Sequence, residues 1–325
     1  MRRVALAALA TITLAAAAAP AAAQSDFPNR TITMVVPLPA GATADILARI
    51  AAEQLGRALG QTVVVENRPG GAGGLVGTEQ VFRANPDGYT ILCAPQLTFS
   101  VAPVLNPKIT FDPGTMEPVS VLALYPAVIL VRPDLPVNSR AELIAYAKAN
   151  PGKLNYASSG IGTPPHLAGE MFKSMAGVDI VHVPFREANS ALNAVVSGAT
   201  QMMFSIASTA QSQIVGGTVR GIAVTSRQAT PLAPGLPPMA EAGLAGFEVI
   251  GWNGVVAPPR TPEPVIAKLA GALAAGLDDA DLRAKLTTAG YEPARKNTPG
   301  QFGAFIAADT AKWVDLVAKT NMKAN

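Results

Sequence analysis

Two stretches of this chain have the residue types to hold an anion without a basic side chain. In VVPLPAGATAD, Val35 to Asp45, a β-branched run ends at Pro37 and Pro39 and opens onto a helix-like pattern. Beside Leu38, the small residues Ala40, Gly41, Ala42 and Thr43 would let a ligand approach the backbone. The N–H groups of a helix start point outward and carry roughly +0.5 charge, enough to attract a carboxylate. Asp45 falls in the first helical turn, where that dipole favours an acid. An ordinary strand-to-helix connection with a stabilising acid fits this stretch equally well. The second stretch is YASSGIGTPPH, Tyr156 to His166. Ser158, Ser159 and Thr163 supply hydroxyls, Gly160 and Gly162 expose backbone, and Pro164 suits a first helical position.

Arg186, in VPFREANSAL, stands just past a strand end and just before a helix. From there a guanidinium could fork onto a carboxylate, the alternative being a solvated surface arginine. NRPGGAGGLVG, Asn67 to Gly77, invites a nucleotide reading, but the spacing fails: Val76 stands where the third glycine is needed, and no Gly-Lys-Ser/Thr follows. A tight structural turn is the better reading.

Enzyme signatures are thin. Ser158 is outside any G-x-S-x-G elbow, no serine begins an S-x-x-K, and Cys93 lies in an apolar strand where a thiol is inert. His166 and His182 are the only histidines. His166 with Glu170 reads as a capping or surface pair, and His182, alternating with Ile180, as structural. A hydrolase using Ser158 would need a base near it, for which the sequence offers no convincing candidate. A zinc site needs about four ligands; no such cluster is visible, and no metal or cofactor is expected.

The elements that must position these residues follow from the rest of the chain. Residues 1–23 have the parts of an export signal: Arg2 and Arg3, an apolar run from Val4 to Ala19, and Ala21-Ala22-Ala23 before the expected cleavage. The signal contains no lipobox cysteine and no second apolar run spans a bilayer, so a free, soluble, exported protein is expected. Without Arg2 and Arg3 the 25 basic residues become 23 against 22 acidic ones, and the formal charge falls from +3 to +1. With only 14% charged residues and no basic stripe, nucleic acid is not an expected partner. A single cysteine excludes an internal disulfide, so stability must come from burial.

Short apolar runs alternate with amphipathic segments, which is the α/β pattern with largely parallel sheets. Strands are expected at Thr31–Val36, Thr62–Glu66 and Tyr89–Ala94. Between the first two, Leu47, Ala51, Leu55 and Leu59 define one helix face. The rhythm resumes after Pro151 with LNYAS, a helix over Pro164–Ala176, DIVHV, a helix over Ser190–Val196, QMMFS, a helix near Ile214 and RGIAVT. The C-terminal stripe is Phe302, Phe305, Ile306, Trp313, Leu316 and Val317. AVILVRPDLPVNSRAELIAYAKA and NGVVAPPRTPEPVIAKLAGALAA each run from an apolar strand through a two-proline turn into a helix. They read as two crossings, near Leu124–Val131 and Val249–Ala257. The expected domains are therefore 24–123 plus 250–325, and 124–249, with a ligand cleft between them.

Taken together, FPNRTITMVVPLPAG from Phe27, Asp45 with Ala48-Arg49, VENRPGGAGG from Val65, PDGYT from Pro86, IAYAKANPGKLNY from Ile144, and AVTS from Ala223 near Glu241-Ala-Gly resemble the Bug family. These are the extracytoplasmic solute receptors of tripartite tricarboxylate transporters. The resemblance covers essentially the whole chain after the signal. It implies a two-lobed periplasmic binding protein fold, type II-like, that closes on a small organic carboxylate and delivers it to a cognate inner-membrane permease, with a monomer expected. A receptor that presents its loaded form to a sensor kinase is the alternative within binding proteins. The resemblance carries carboxylate contacts onto Ala40 to Thr43 and Ser158 to Thr163, with Gln96, Leu97 and Thr98 as a third contributor. It also marks departures: Ala42 and Ala157 replace glycines, and Ser205 follows Met202-Met203-Phe204 where relatives have aspartate. Without that carboxylate, an aliphatic or aromatic acid is expected over an amino acid.

Overall fold

The computed structural model describes residues 26–71, 73–106, 109–320 and 322; the expected export signal lies outside them. The first third of the chain builds β1 (Ile32–Val36), α1 (Thr43–Leu59), β2 (Val63–Asn67), α2 (Leu75–Phe82) and β3 (Thr90–Pro95). β1 runs parallel to both β2 and β3, with Ile32 opposite Val63 and Thr33 opposite Thr90. The predicted face of α1 forms, and Leu47, Ala51 and Leu55 bury against Ile32 and Met34. Full burial of each leucine contributes roughly 1.5–3 kcal/mol, which holds the strand–helix pair together more firmly than helix propensity does.

After a π-helical turn (Leu97–Val101) and α3 (Ala102–Leu105), the chain enters β4, a 15-residue strand from Glu117 to Val131. A second βα series follows: α4 (Arg140–Ala149), β5 (Leu154–Ser158), α5 (Pro164–Ala176), β6 (Ile180–Pro184), α6 (Ala188–Val196), β7 (Met202–Ile206), α7 (Ala207–Val215) and β8 (Arg220–Val224). β5 is parallel to β6 and β7. The chain returns through β9 (Ile250–Ala257) and closes with α8 (Glu263–Asp278), α9 (Ala280–Thr288), β10 (Glu292–Pro293) and α10 (Pro299–Thr320).

Two features differ from the sequence expectation. The sheets are mixed rather than largely parallel, because β4 and β9 pair antiparallel with each other from Glu117/Ala257 to Pro126/Ile250. Beyond Pro126, residues Ala127–Val131 pair instead with β7 and β8. Proline lacks the N–H a ladder needs, and Pro126 sits where the strand changes partners, a position that tolerates the loss. The prolines at 118 and 126 hide the full length of β4 from a pattern reading. The second difference is α10. Its Phe302 and Ile306 pack with Trp252 and Val35, whereas Trp313 and Leu316 join the core around Phe172 and Phe204 of the second series. Thus α10 packs on both sides of the expected domain division. Phe305 and Val317, predicted on the same stripe, are only partly covered, and the fifth buried position is the acid Asp309. No helix among the described residues is long and apolar enough to cross a membrane.

Candidate functional site

The opening loop leaves β1 at Val36 and enters α1 at Ala42, whose extended backbone (φ −69°, ψ 160°) makes it the N-cap. Alanine offers no capping oxygen, so no side chain closes this helix start. The loop is organised from within by Asp45, which is buried. Its Oδ2 accepts from the Gly41 amide at 2.9 Å and from Arg49 Nε at 3.1 Å. Its Oδ1 accepts from Arg49 Nη2 and Asn67 Nδ2, each at 3.0 Å. Asn67 also donates to the Leu38 carbonyl at 3.1 Å, tying β2 to the loop. Burial raises the Asp45 pKa, but the bonds from Arg49, Gly41 and Asn67 outweigh it and hold the carboxyl below its ordinary value.

These contacts redistribute the predicted donors. Gly41 faces Asp45, and the Ala42 amide bonds the Pro39 carbonyl at 3.2 Å. The amides of Thr43 and Ala44, the first two of α1, have no hydrogen-bond partner among the described residues. Ala40 and Gly41 are exposed, and Leu38, Ala42 and Thr43 half-buried. Burial pushes the Tyr291 phenol up, and the Thr43 hydroxyl beside it partly offsets that. The glycine-rich turn supports the loop from behind: at Gly74, with φ +87°, a Cβ would lie 2.7 Å from the Pro37 carbonyl oxygen. That close approach accounts for its glycine without a bound phosphate.

The second loop joins β5 to α5. Thr163 is its N-cap and makes no side-chain cap; Pro164 and Pro165 follow without amides, so His166 supplies the first N–H of the helix. The Ser158 and Thr163 hydroxyls are engaged inside the loop. Thr163 donates to the Gly160 carbonyl at 2.7 Å, and Ser158 accepts the Gly160 amide at 3.2 Å. Ser158, fully buried, also lies 2.6 Å from His182 Nε2. The Gly162 amide donates to His166 Nδ1 at 3.0 Å. Ser159 remains half-buried with no described partner for its hydroxyl, and the amides of Ser159, Ile161 and His166 are likewise without one.

One histidine reading needs correction, and the other gains a neighbour the sequence did not show. His166 does not pair with Glu170, which instead accepts from Tyr156 at 2.7 Å and pairs with Lys173 at 3.1 Å. His182 sits beside Ser158, a neighbour that became visible only when β5 and β6 placed Tyr156 opposite His182. Its ring stacks between those of Tyr156, at 4.8 Å, and His166, at 4.1 Å. Burial pushes the pKa of both histidines down to about 4, with Lys173 adding to this at His166 and the neighbouring His166 ring adding to it at His182. An imidazole so reluctant to take a proton is a poor general base, and no carboxylate among the described residues bonds its second nitrogen. The Ser158–His182 contact therefore has the distance of a hydrolytic dyad without its basicity.

The third predicted contributor divides. Gln96 is fully buried, and its amide nitrogen donates to the Ile250 carbonyl at 3.0 Å and to Asp309 at 2.9 Å, the acid that also accepts from Trp252 at 2.8 Å. Thr98 donates to the Gly73 carbonyl. Both side chains thus hold the π-helical turn in place. Leu97 is different. A Cβ on Gly162 would lie 2.9 Å from its Cδ1, and one on Gly73 would lie 3.1 Å from its Cγ. Leu97 therefore fits between two glycines and brings the turn after β3 against the loop after β5. Val101 and Leu105 continue this contact into the second core. Arg186 is exposed and holds no hydrogen bond or ion pair to a described residue. Ser205 is fully buried on β7, opposite Val128, and its hydroxyl donates to the Ile206 carbonyl at 3.2 Å. Among the described residues no group of three potential metal ligands comes together.

Residues 47–322 match the family described as tripartite tricarboxylate transporter family receptor. The chain is similar to the solved periplasmic binding protein BugD, with 38% identity and a TM-score of 0.77 over 92% of this chain and 100% of that one. Rpa4515 of R. palustris, solved with adipate, shares 32% identity with a TM-score of 0.80, covering 92% and 99% of the two chains. MatC of Rhodopseudomonas palustris, solved with bound malate, shares 32% identity with a TM-score of 0.76, covering 90% and 100%.

Proposed function

The chain belongs to the family of tripartite tricarboxylate transporter receptors, and we propose that it is a monomeric periplasmic receptor. It would capture a small organic carboxylate and hand it to the cognate inner-membrane permease of a tripartite tricarboxylate-type transporter. The observation that carries this reading is the meeting of Leu97 with Gly162, which brings together segments of two βα series that each end a strand in an uncapped helix start. Free amides at Thr43 and Ala44 on one side, and at Ser159, Ile161 and His166 on the other, suit a carboxylate held by neutral donors. A ligand touching both loops stabilises the closed arrangement because only that arrangement makes both sets of contacts. The lobes are taken as 24–123 plus 250–325 and 124–249, with β4 and β9 as crossings and α10 as a brace. Export would follow cleavage near Ala23.

The ligand class rests on the adipate and malate bound by relatives and on Ser205, which offers no carboxylate to an ammonium group. A carboxylic acid without an amino group is the expected ligand. We assign no catalytic role to Ser158, since its histidine neighbour is too weakly basic. Native mass spectrometry of protein purified from periplasm, followed by thermal shifts with a carboxylic-acid panel, tests the reading. At about 100 times its dissociation constant a true ligand adds roughly 2.7 kcal/mol and raises the melting point by a few degrees. No shift with any acid, tight binding of glutamate alone, or conversion of the ligand to a product would each sink part of it.

A further inference from the structure

We propose that His166 and His182 are positioning residues for carboxylate capture, a neutral stacked pair that fixes the shape of the Ser158–Thr163 loop before ligand arrives. The inference rests on the function proposed above. His182 Nε2 contacts the Ser158 hydroxyl at 2.6 Å, and His166 Nδ1 accepts the Gly162 amide at 3.0 Å. The two rings lie face to face at 4.1 Å, so each loop bond is braced by the other ring. The remaining walls are the Tyr156 ring on β5 and, along α5, the Glu170 carboxylate and Lys173 ammonium, which are paired with each other. Nδ1 of His166 must be unprotonated to accept an amide, which fixes its proton on Nε2. Gly162 also carries the contact with Leu97, so the same hydrogen bond that shapes the loop sets its meeting with the other lobe. The pair does this without adding charge to a site that must release its anion.

The test exploits which nitrogen each ring uses. An asparagine carboxamide reaches the position of Nδ1 and a glutamine carboxamide that of Nε2, so His166→Asn and His182→Gln retain the loop bonds while His166→Leu and His182→Leu remove them. Calorimetry with adipate and malate, and hydrogen exchange at the Gly162 amide without ligand, are measured on all four variants and the parent. Both leucine variants are expected to weaken binding at least tenfold, and His166→Leu to speed Gly162 exchange at least tenfold. The two carboxamide variants are expected to stay within about threefold of the parent. Equal behaviour of the leucine and carboxamide variants would overturn the proposal. Should a leucine variant fail to fold, the parent alone decides: the Gly162 amide resonance must titrate together with the His166 ring below pH 6, and an amide that ignores that ring ends the idea. If neither acid binds the parent, the function proposed for these acids fails, while exchange and titration still decide the histidines.

Discussion

The loop before α1 and the loop before α5 follow equivalent parallel strands, yet their supports are chemically opposite. The first is held by an ionised carboxylate, with Asp45 collecting Gly41, Arg49 and Asn67. The second is held by two neutral imidazoles on Ser158 and Gly162. An acid within the first turn is compatible with an anion site only because Arg49 balances it, and Arg49 is half exposed, with a relative side-chain accessibility of 56%. The second loop has Lys173 nearby, but Glu170 already engages it. Each loop therefore presents backbone donors with little net charge behind them. The difference teaches that a neutral binding surface can be reached either by pairing charges or by burying groups that would otherwise take one.

The contrast can be broken in several ways. Removing the ionic support should have the largest effect: Asp45→Ala leaves the Asn67 amide and the Gly41 N–H without their acceptor, lowering unfolding free energy by about 2–3 kcal/mol in urea denaturation. The figure is moderated because Arg49 can turn into water. A change below 0.5 kcal/mol would mean that the loop organises itself without its acid.

Acidification should separate the loops. Both histidines have folded pKa values of about 4, below the ordinary 6.5, so the unfolded chain binds protons that the native state refuses. Their contribution is fully present above about pH 6.5 and is lost as pH drops toward 4. Asp45 has a lowered value, so its stabilisation is present above the ordinary carboxylate range and lost only below it. Stability measured from pH 7 to 4 should decline, and His182→Gln should flatten part of that decline; an unchanged slope would remove His182 from the account.

Smaller effects probe the contact between loops. Gly162→Ala places a Cβ against Leu97 in a backbone with φ +77°, with an expected loss of about 1–2 kcal/mol in stability or ligand affinity. Pairing it with Leu97→Ala should recover part of the loss, and strict additivity would show that the two residues do not meet in solution. Arg186→Ala should have the smallest effect, about 1 kcal/mol or roughly fivefold, on a dicarboxylate and none on its monocarboxylate analogue. Equal losses would take Arg186 out of the cleft.

Much of the fold around the candidate site was legible because its signals are local. The apolar face of α1, the extent of LNYAS as β5 and of Pro164–Ala176 as α5, and the neutral composition of both loops follow from side-chain period and turn chemistry. Gly74 was legible as a turn residue, though not as the residue on which Pro37 rests. What escaped depends on residues far apart in the chain. His182 acquired a partner through the register that sets Tyr156 opposite it. Gln96 and Thr98 became internal braces because α10 and the glycine-rich turn came to them.

By itself the sequence determined where most strands and helices lie, which of their faces are apolar, and that two neutral loops precede helix starts. Those properties are set within a few residues by backbone geometry and the burial of apolar periods. Only the tertiary structure decided that β4 changes sheets at Pro126, that Leu97 seats against Gly162, and that two histidines stack behind one loop while an aspartate organises the other. Such contacts depend on strand register and helix packing between distant segments, and a periodic pattern does not specify which partner it meets.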